Sequence, residues 1–191
     1  RLTEGDYYLS RKEREDLCRL DRANIPIVLV LNTGAPVELA ELLDSTENIR
    51  AVLYISLPGQ EGGHAVADVL LGQASPGGRL AATWARHYED YPSAKSFGYL
   101  NGDLEKEEYR EGIYVGYRYF DSFGIQPLFP FGYGLTYTDF SMKYEGLRIT
   151  REGIETDVTV ENTGKHFPGR EVVQVYVALP RTGLEKEYHR L

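Results

Sequence analysis

The apolar residues of this chain keep two different rhythms, and the change between them falls near Asp139. Ahead of it, residues 27–31 and 51–55 are unbroken apolar runs, the pattern of parallel strands buried on both faces. Each run lies between helical patterns. Ser10 and Glu13 form an S-x-x-E capping box that opens a charged helix with Leu17 and Leu20 on one side. Asn32, Thr33 and Gly34 turn the chain, and Pro36 suits the first position of a second helix, which carries Val37, Leu39, Ala40, Leu42 and Leu43 and reaches Asp44. Pro58 and Gly59 lead into a third helix over residues 64–71, capped by Gly72. Residues 80–83 read as a further short strand. Strand and helix in alternation imply a parallel sheet with right-handed crossovers, covered by helices, and therefore a three-layer α/β/α sandwich over residues 1–138.

Residues 88–112 break the pattern with aromatics, glycines and the charge run Glu105-Lys106-Glu107-Glu108, read as a solvated face or a mobile loop. Residues 113–120 alternate and read as a strand. Pro127-Leu128-Phe129-Pro130-Phe131-Gly132-Tyr133-Gly134 reads as an aromatic connection packed between two layers. Beyond Asp139 the period becomes two: Phe140, Met142, Tyr144; then Ile154, Thr156, Val158, Val160; then Val173, Val175, Val177. Asn162-Thr163-Gly164 supplies a turn before the last of these. Alternating strands with turns indicate an all-β sandwich, but three strands fall short of the roughly seven of an immunoglobulin-like fold, so residues 139–191 read as an incomplete domain with an uncovered face or edge.

A net charge of -8, from 21 basic and 29 acidic residues, opposes a phosphate-backbone partner and leaves a neutral ligand such as a sugar open. Cys18, the one cysteine, can form no intrachain disulfide and reads as a small core or boundary residue. No Cys/His spacing suggests zinc, no cofactor is expected, and no apolar run reaches the roughly 18 residues of a membrane span. The single cysteine leans the compartment toward the cytoplasm. The chain begins with Arg1 and its only methionine is Met142, so it is read as a fragment of a longer product.

Four ordered segments carry more information than the periodicities. They are Pro58-Gly59-Gln60-Glu61-Gly62-Gly63 with Ala67-Asp68-Val69-Leu70-Leu71-Gly72; Ser75-Pro76-Gly77-Gly78-Arg79-Leu80; Glu111-Gly112-Ile113-Tyr114-Val115-Gly116-Tyr117-Arg118-Tyr119-Phe120; and Phe129-Pro130-Phe131-Gly132-Tyr133-Gly134-Leu135-Thr136-Tyr137. Together they resemble the C-terminal α/β domain of family-3 glycoside hydrolases, the group of the β-glucosidases. The later stretch, from Val160-Glu161-Asn162-Thr163-Gly164 to Gly169-Arg170-Glu171-Val172-Val173-Gln174-Val175-Tyr176-Val177, is similar to the fibronectin type III-like domain that follows in many members.

The resemblance implies a retaining, exo-acting glycosidase whose active site lies between two domains. A (β/α)8 barrel supplies the Asp nucleophile, and the α/β domain supplies the acid/base Glu. Retention needs the two carboxyl groups about 5–5.5 Å apart. A barrel takes about 250 residues, so none is encoded in this sequence and the nucleophile is expected elsewhere. The family's Gly-Glu-Gly-x-Asp-Arg segment precedes a Gly-Asp-Tyr-Tyr-Leu-type segment, present here as Gly5-Asp6-Tyr7-Tyr8-Leu9. Arg1 then matches the closing Arg, and the acid/base Glu falls a few residues upstream of it. Glu4 imitates the motif too close to Leu9 and is only a weak alternative to an ordinary loop carboxylate. The chain by itself is therefore expected to be inactive, lining one wall of a cleft and docking on the missing barrel.

The residues themselves offer few ligand candidates. Gln60 and Glu61 follow a buried strand and open a helix, where free N–H groups and a positive dipole favour a ligand; equally, the glycines beside them let the helix approach the sheet. Trp84, Tyr88, Tyr91, Phe97 and Tyr99 are loop aromatics that could stack on a pyranose or pack an interface, with Trp84 and Tyr99 the foremost candidates. His64 and Asp68 read as structural, and His87, His166 and His189 show no nucleophile–base spacing. In a strand, Arg118 would take the face opposite Tyr117 and Tyr119, either in an ion pair or toward the missing barrel. Two other classes stay open: a nucleotide-binding α/β module, and a stand-alone carbohydrate-binding or interaction module.

Overall fold

The computed structural model describes residues 4–98, 102–178, 180 and 183–191. Helix α1 (Arg11–Arg22) begins at the expected capping box: Ser10 Oγ accepts from Glu13 N, and a Glu13 carboxylate oxygen accepts from Ser10 N at 2.8 Å. Strand β1 (Ile27–Leu31), helix α2 (Ala40–Ser45), strand β2 (Ile49–Tyr54) and helix α3 (Gly62–Leu70) follow. β1 and β2 pair in parallel, Val28 opposite Ala51 and Leu31 opposite Tyr54. The Asp21 carboxylate near the end of α1 accepts from Glu47 N and Asn48 N, holding the entry to β2 in place and satisfying a stretch that buries Asn48. Gly72 takes φ 69° after α3, the left-handed stop expected of it.

One core unites this part. Leu31, Leu39, Leu42 and Trp84 are buried together, with Leu9, Leu17, Tyr54, Leu80 and Phe129 packed around them. β1 departs from the expectation of burial on both faces: Ile27 and Leu31 are buried, but Val28 is 49% exposed and Val30 37%. Among the described residues, helices and loops cover one face of the pair only.

α2 starts at Ala40 rather than Pro36, because Glu38 N donates to Tyr7 O and the chain at 36–39 runs beside the N-terminal segment instead of coiling. Residues 80–83 form no regular strand. They bond to the 128–133 connection (Leu80 N to Tyr133 O, Gly132 N to Leu80 O, Trp84 N to Phe129 O), where Pro130 has no N–H to continue a ladder. Residues 113–120 are likewise not a strand. Helix α4 (Tyr117–Phe123) occupies the second half, opened by Gly116 at φ 58° and closed by Gly124 at φ 66°. On a helix Phe120 turns inward, 1% exposed, and the opposition of Arg118 to Tyr117 and Tyr119 disappears.

Strands β3 (Phe140–Ile149) and β4 (Ile154–Asn162) form an antiparallel hairpin from Phe140 opposite Asn162 to Ile149 opposite Ile154, with a bulge between Tyr144 and Gly146. The third alternating segment forms no strand; only Val177 bridges, to Arg190. With no second sheet against the hairpin among the described residues, Met142, Tyr144, Leu147, Ile149, Ile154 and Val160 are all exposed.

The chain after Asp139 is nevertheless fastened to the α/β part. Arg79 grips Glu171 with two parallel bonds, Nε to Oε1 at 3.2 Å and Nη2 to Oε2 at 2.8 Å, both side chains largely buried. Thr138 Oγ1 donates to Asn162 Oδ1 at 2.6 Å, and a Cβ on Gly164 would sit 2.0 Å from that hydroxyl oxygen, so the expected turn needs glycine for space. Arg79 and the Val172 N–H hold the Glu171 carboxyl below the usual carboxylate range. A lowered folded-state pKa contributes stability above the unfolded-state pKa of ~4.3 and loses it as pH falls through the folded-state value. Glu171→Gln is therefore expected to be about 1.5 kcal/mol less stable than the parent in urea at neutral pH. The difference should shrink once acid protonates Glu171, and a gap constant down to the most acidic condition would refute the assignment.

Candidate functional site

In open parallel sheets, ligands sit outside the carboxyl ends of the strands. Here those ends are the segments after Leu31 and after Tyr54, and the sequence candidates at the second are Gln60 and Glu61. Both are exposed. Glu61 stands at the head of α3 without capping it, and its Oε2 lies 2.6 Å from His64 Nδ1 on the helix surface. A Cβ on Gly62 would fall 2.5 Å from the Pro58 ring, and Gly59 has φ 72°, so the glycines serve the tight strand-to-helix turn.

Trp84 is not an exposed loop aromatic. It is 3% exposed, edge-on to Tyr54 and Phe129 at 5.2 and 6.1 Å, and leaves no ring face for a sugar. Tyr99 lies outside the described residues. Tyr91 is pinned by its hydroxyl, which donates to Thr83 O and accepts from Ala85 N, and it joins Tyr7, Tyr88 and Phe120 in an edge-to-face cluster. Phe97 alone of the described group is well exposed. Asp68 lies on the open face of α3.

The segment after Leu31 makes the more structured site. Glu4, Tyr8, Leu9, Arg11, Arg14, Glu38 and Glu41 line a cleft of about 410 Å³ between the N-terminal segment and the start of α2. Glu4 is exposed, with one carboxylate oxygen 3.4 Å from Arg11 N. Arg14 pairs with Glu41 at the surface. Glu38 differs from both: its side chain is only 9% exposed, and the imidazole nitrogen nearest to it, His87 Nδ1, stands 3.8 Å away, outside hydrogen-bond reach. Burial raises its carboxyl above the usual range; Glu41 and Glu89 add to this, while His87 and Arg14 oppose it. Beside it, the Tyr7 hydroxyl is buried close to Tyr91, and burial pushes its pKa up as well.

Glu38 and Tyr8 were not among the candidates drawn from sequence. The available signal was position: Glu38 follows the carboxyl end of the first apolar run within one short loop. Among the described residues no group of three His, Cys, Asp or Glu side chains is placed to hold a metal ion, and no helix is long and apolar enough to cross a membrane.

The glycosyl hydrolase family 3 C-terminal domain model matches residues 3–117. Thermostable beta-glucosidase B of Acetivibrio thermocellus is 42% identical over 159 residues, covering 79% of this chain and 20% of that protein. Among solved structures, a beta-glucosidase from Paenibacillus barengoltzii superposes with a TM-score of 0.90 at 40% identity, covering 99% of this chain and 21% of that one. Beta-glucosidase 3B from Thermotoga neapolitana, solved with α-D-glucose, gives 0.83 at 37% identity over 99% of this chain and 26% of its own. The chain thus spans about a fifth to a quarter of the length of these relatives. By its ordered motifs, its helices around a small parallel sheet and these matches, the chain belongs to the glycosyl hydrolase family 3 C-terminal domain family.

Proposed function

We propose that this chain is part of a retaining, exo-acting glycoside hydrolase that cleaves the O-glycosidic bonds of β-linked sugars, as β-glucosidases do, and that its share of the work is to wall the cleft rather than to catalyse. The observation that carries the reading is the similarity of 99% of the chain to a solved beta-glucosidase, at a TM-score of 0.90. In this reading residues 1–138 are a portion of a three-layer α/β/α sandwich, and residues 139–191 begin a fibronectin type III-like domain. The parallel β1–β2 pair under α1–α3 and the antiparallel β3–β4 hairpin support that division.

Catalysis then needs two carboxyl groups from outside this sequence: a nucleophile on a (β/α)8 barrel and an acid/base close upstream of Arg1. Glu4, exposed on the N-terminal segment and close to Arg11 N, serves as a loop residue. Gln60 and Glu61, on the open turn before α3, are rim residues at most, and Trp84 is a core residue.

The test is to express the chain with and without the coding sequence that flanks it in its gene. The extended protein is expected to hydrolyse an aryl β-glucoside and to carry a Gly-Glu-Gly-x-Asp sequence directly before Arg1. The 191-residue chain is expected to leave the same substrate intact. Enzyme-like turnover by the chain alone would overturn the placement of both carboxyl groups, and an extended protein inert toward every β-glycoside would overturn the activity.

A further inference from the structure

We infer that the cleft between the N-terminal segment and α2 is a sugar-binding subsite in which Glu38 accepts hydrogen bonds from neighbouring hydroxyls of a β-linked pyranoside lying against Tyr8. The choice of ligand rests on the glycosidase reading; the existence of a site does not. A carboxylate that is nine-tenths buried normally has its oxygens satisfied by donors from the protein. Among the described residues Glu38 has none: no hydrogen bond reaches its side chain, and His87 stands off at 3.8 Å. Yet Glu38 lines an open cleft, at the carboxyl side of β1 where α/β sheets place ligands. It is a largely buried acceptor with no donor among the described residues, and a molecule in the cleft would supply what it lacks.

The chemistry of the lining selects among donors. A carboxylate offers two oxygens and about four acceptor sites, which matches a pair of adjacent hydroxyls. Tyr8, half-buried beside Glu38, supplies an aromatic surface suited to the apolar C–H face of a pyranose. Arg11 and Arg14 add N–H donors for the acceptor side of the same hydroxyls, although Arg14 is shared with Glu41. The two arginines offset two of the three carboxylates Glu4, Glu38 and Glu41, so the cleft favours a neutral polyol over an anion. Its volume, about 410 Å³, falls within the roughly 300–1,000 Å³ of small-molecule pockets.

The experiment is a titration of the whole 191-residue chain with methyl β-D-glucoside, followed by amide chemical shifts and by calorimetry. Saturable shifts are expected at Tyr8, Leu9, Glu38 and Glu41, with millimolar affinity. Glu38→Gln keeps the side chain's shape and should weaken binding roughly tenfold or more, since it replaces an ionised acceptor. Tyr8→Leu removes the ring and provides a second variant should the first disturb the fold, and it should weaken binding as well. Glu152→Gln, in the β3–β4 turn, should bind as the parent does. Three results would each overturn the inference: no saturation at these amides, unchanged affinity in both Glu38→Gln and Tyr8→Leu, or saturation by calcium or inorganic phosphate without any response to the glucoside. Failure here would leave hydrolysis by the extended protein unaffected, and an inert extended protein would leave these shifts unaffected, so the two readings fail separately.

Discussion

Trp84→Ala is expected to destabilise the chain by about 3–5 kcal/mol, the range for deleting a large aromatic from a packed core. Trp84 is 3% exposed, touches Tyr54 and Phe129 edge-on, and is the one aromatic of the buried group formed with Leu31, Leu39 and Leu42. Its backbone also holds the 128–133 connection through Leu128 N and Phe129 N. Removing the indole leaves a cavity under that connection, and the backbone bonds on either side limit how far it can collapse. Trp84→Phe keeps a ring and should cost clearly less. Trp84 is the only tryptophan, so its loss removes intrinsic tryptophan fluorescence and unfolding has to be followed by far-ultraviolet circular dichroism. Corrected for the folded fraction, glucoside binding should be unchanged. A variant of normal stability with lost sugar binding would return Trp84 to the role that its place beside the third apolar segment first suggested.

Phe120→Ala is expected to cost a similar ~3–5 kcal/mol, with its consequences concentrated at the C-terminal stretch. α4 has only seven residues, too few to hold a helix in water without tertiary contacts. Phe120 is its anchor, 1% exposed and 5.9 Å from Tyr91 between ring centres. Three partners of the chain end sit on the same helix: the Tyr117 hydroxyl accepts from Leu191 N, Ser122 Oγ accepts from Tyr188 N, and Asp121 meets His189 Nε2 at 2.8 Å. Loosening α4 should therefore free residues 183–191. Limited proteolysis under native conditions should cut Phe120→Ala in that stretch well before the parent, while Phe120→Leu falls between the two. Equal protection of the C-terminal residues in parent and Phe120→Ala would show that the end is held by other means.

What was legible in the sequence follows from how local each signal is. The capping box at Ser10 and Glu13 involves two residues three apart, and no tertiary contact can reverse it. The run Ile27–Leu31 could be little other than a strand, and Gly72 little other than a stop. Residues 113–120 misled because Ile113, Val115, Tyr117 and Tyr119 alternate as in a strand, while Tyr117, Phe120 and Gly124 also fit one helical face. Over so short a span the two periods cannot be separated, and glycines at positive φ on both sides decided for the helix. Residues 80–83 and 171–177 have strand-like composition, but the partners that would complete a ladder are interrupted at Pro130 in the first case and absent among the described residues in the second. The family was legible because its motifs come in fixed order. The cleft at Glu38 was not, because Glu38 acquires its character from burial against Tyr7, Tyr8 and His87, which are distant in the chain.

The clasp between Arg79 and Glu171 does not act alone. Ser75 Oγ meets Thr136 Oγ1 and accepts from Tyr137 N, and the Tyr137 hydroxyl donates to Val69 O, so the backbone just ahead of the change in rhythm is tied back to the end of α3 and the turn after it. With Arg79 on Glu171 and Thr138 on Asn162, the crossing near Asp139 is a welded joint rather than a swivel. A chimera that exchanges the segment after Asp139 for a relative's would have to bring along a carboxylate for Arg79 and a glycine opposite Thr138, or the grafted piece would hang loose from its host.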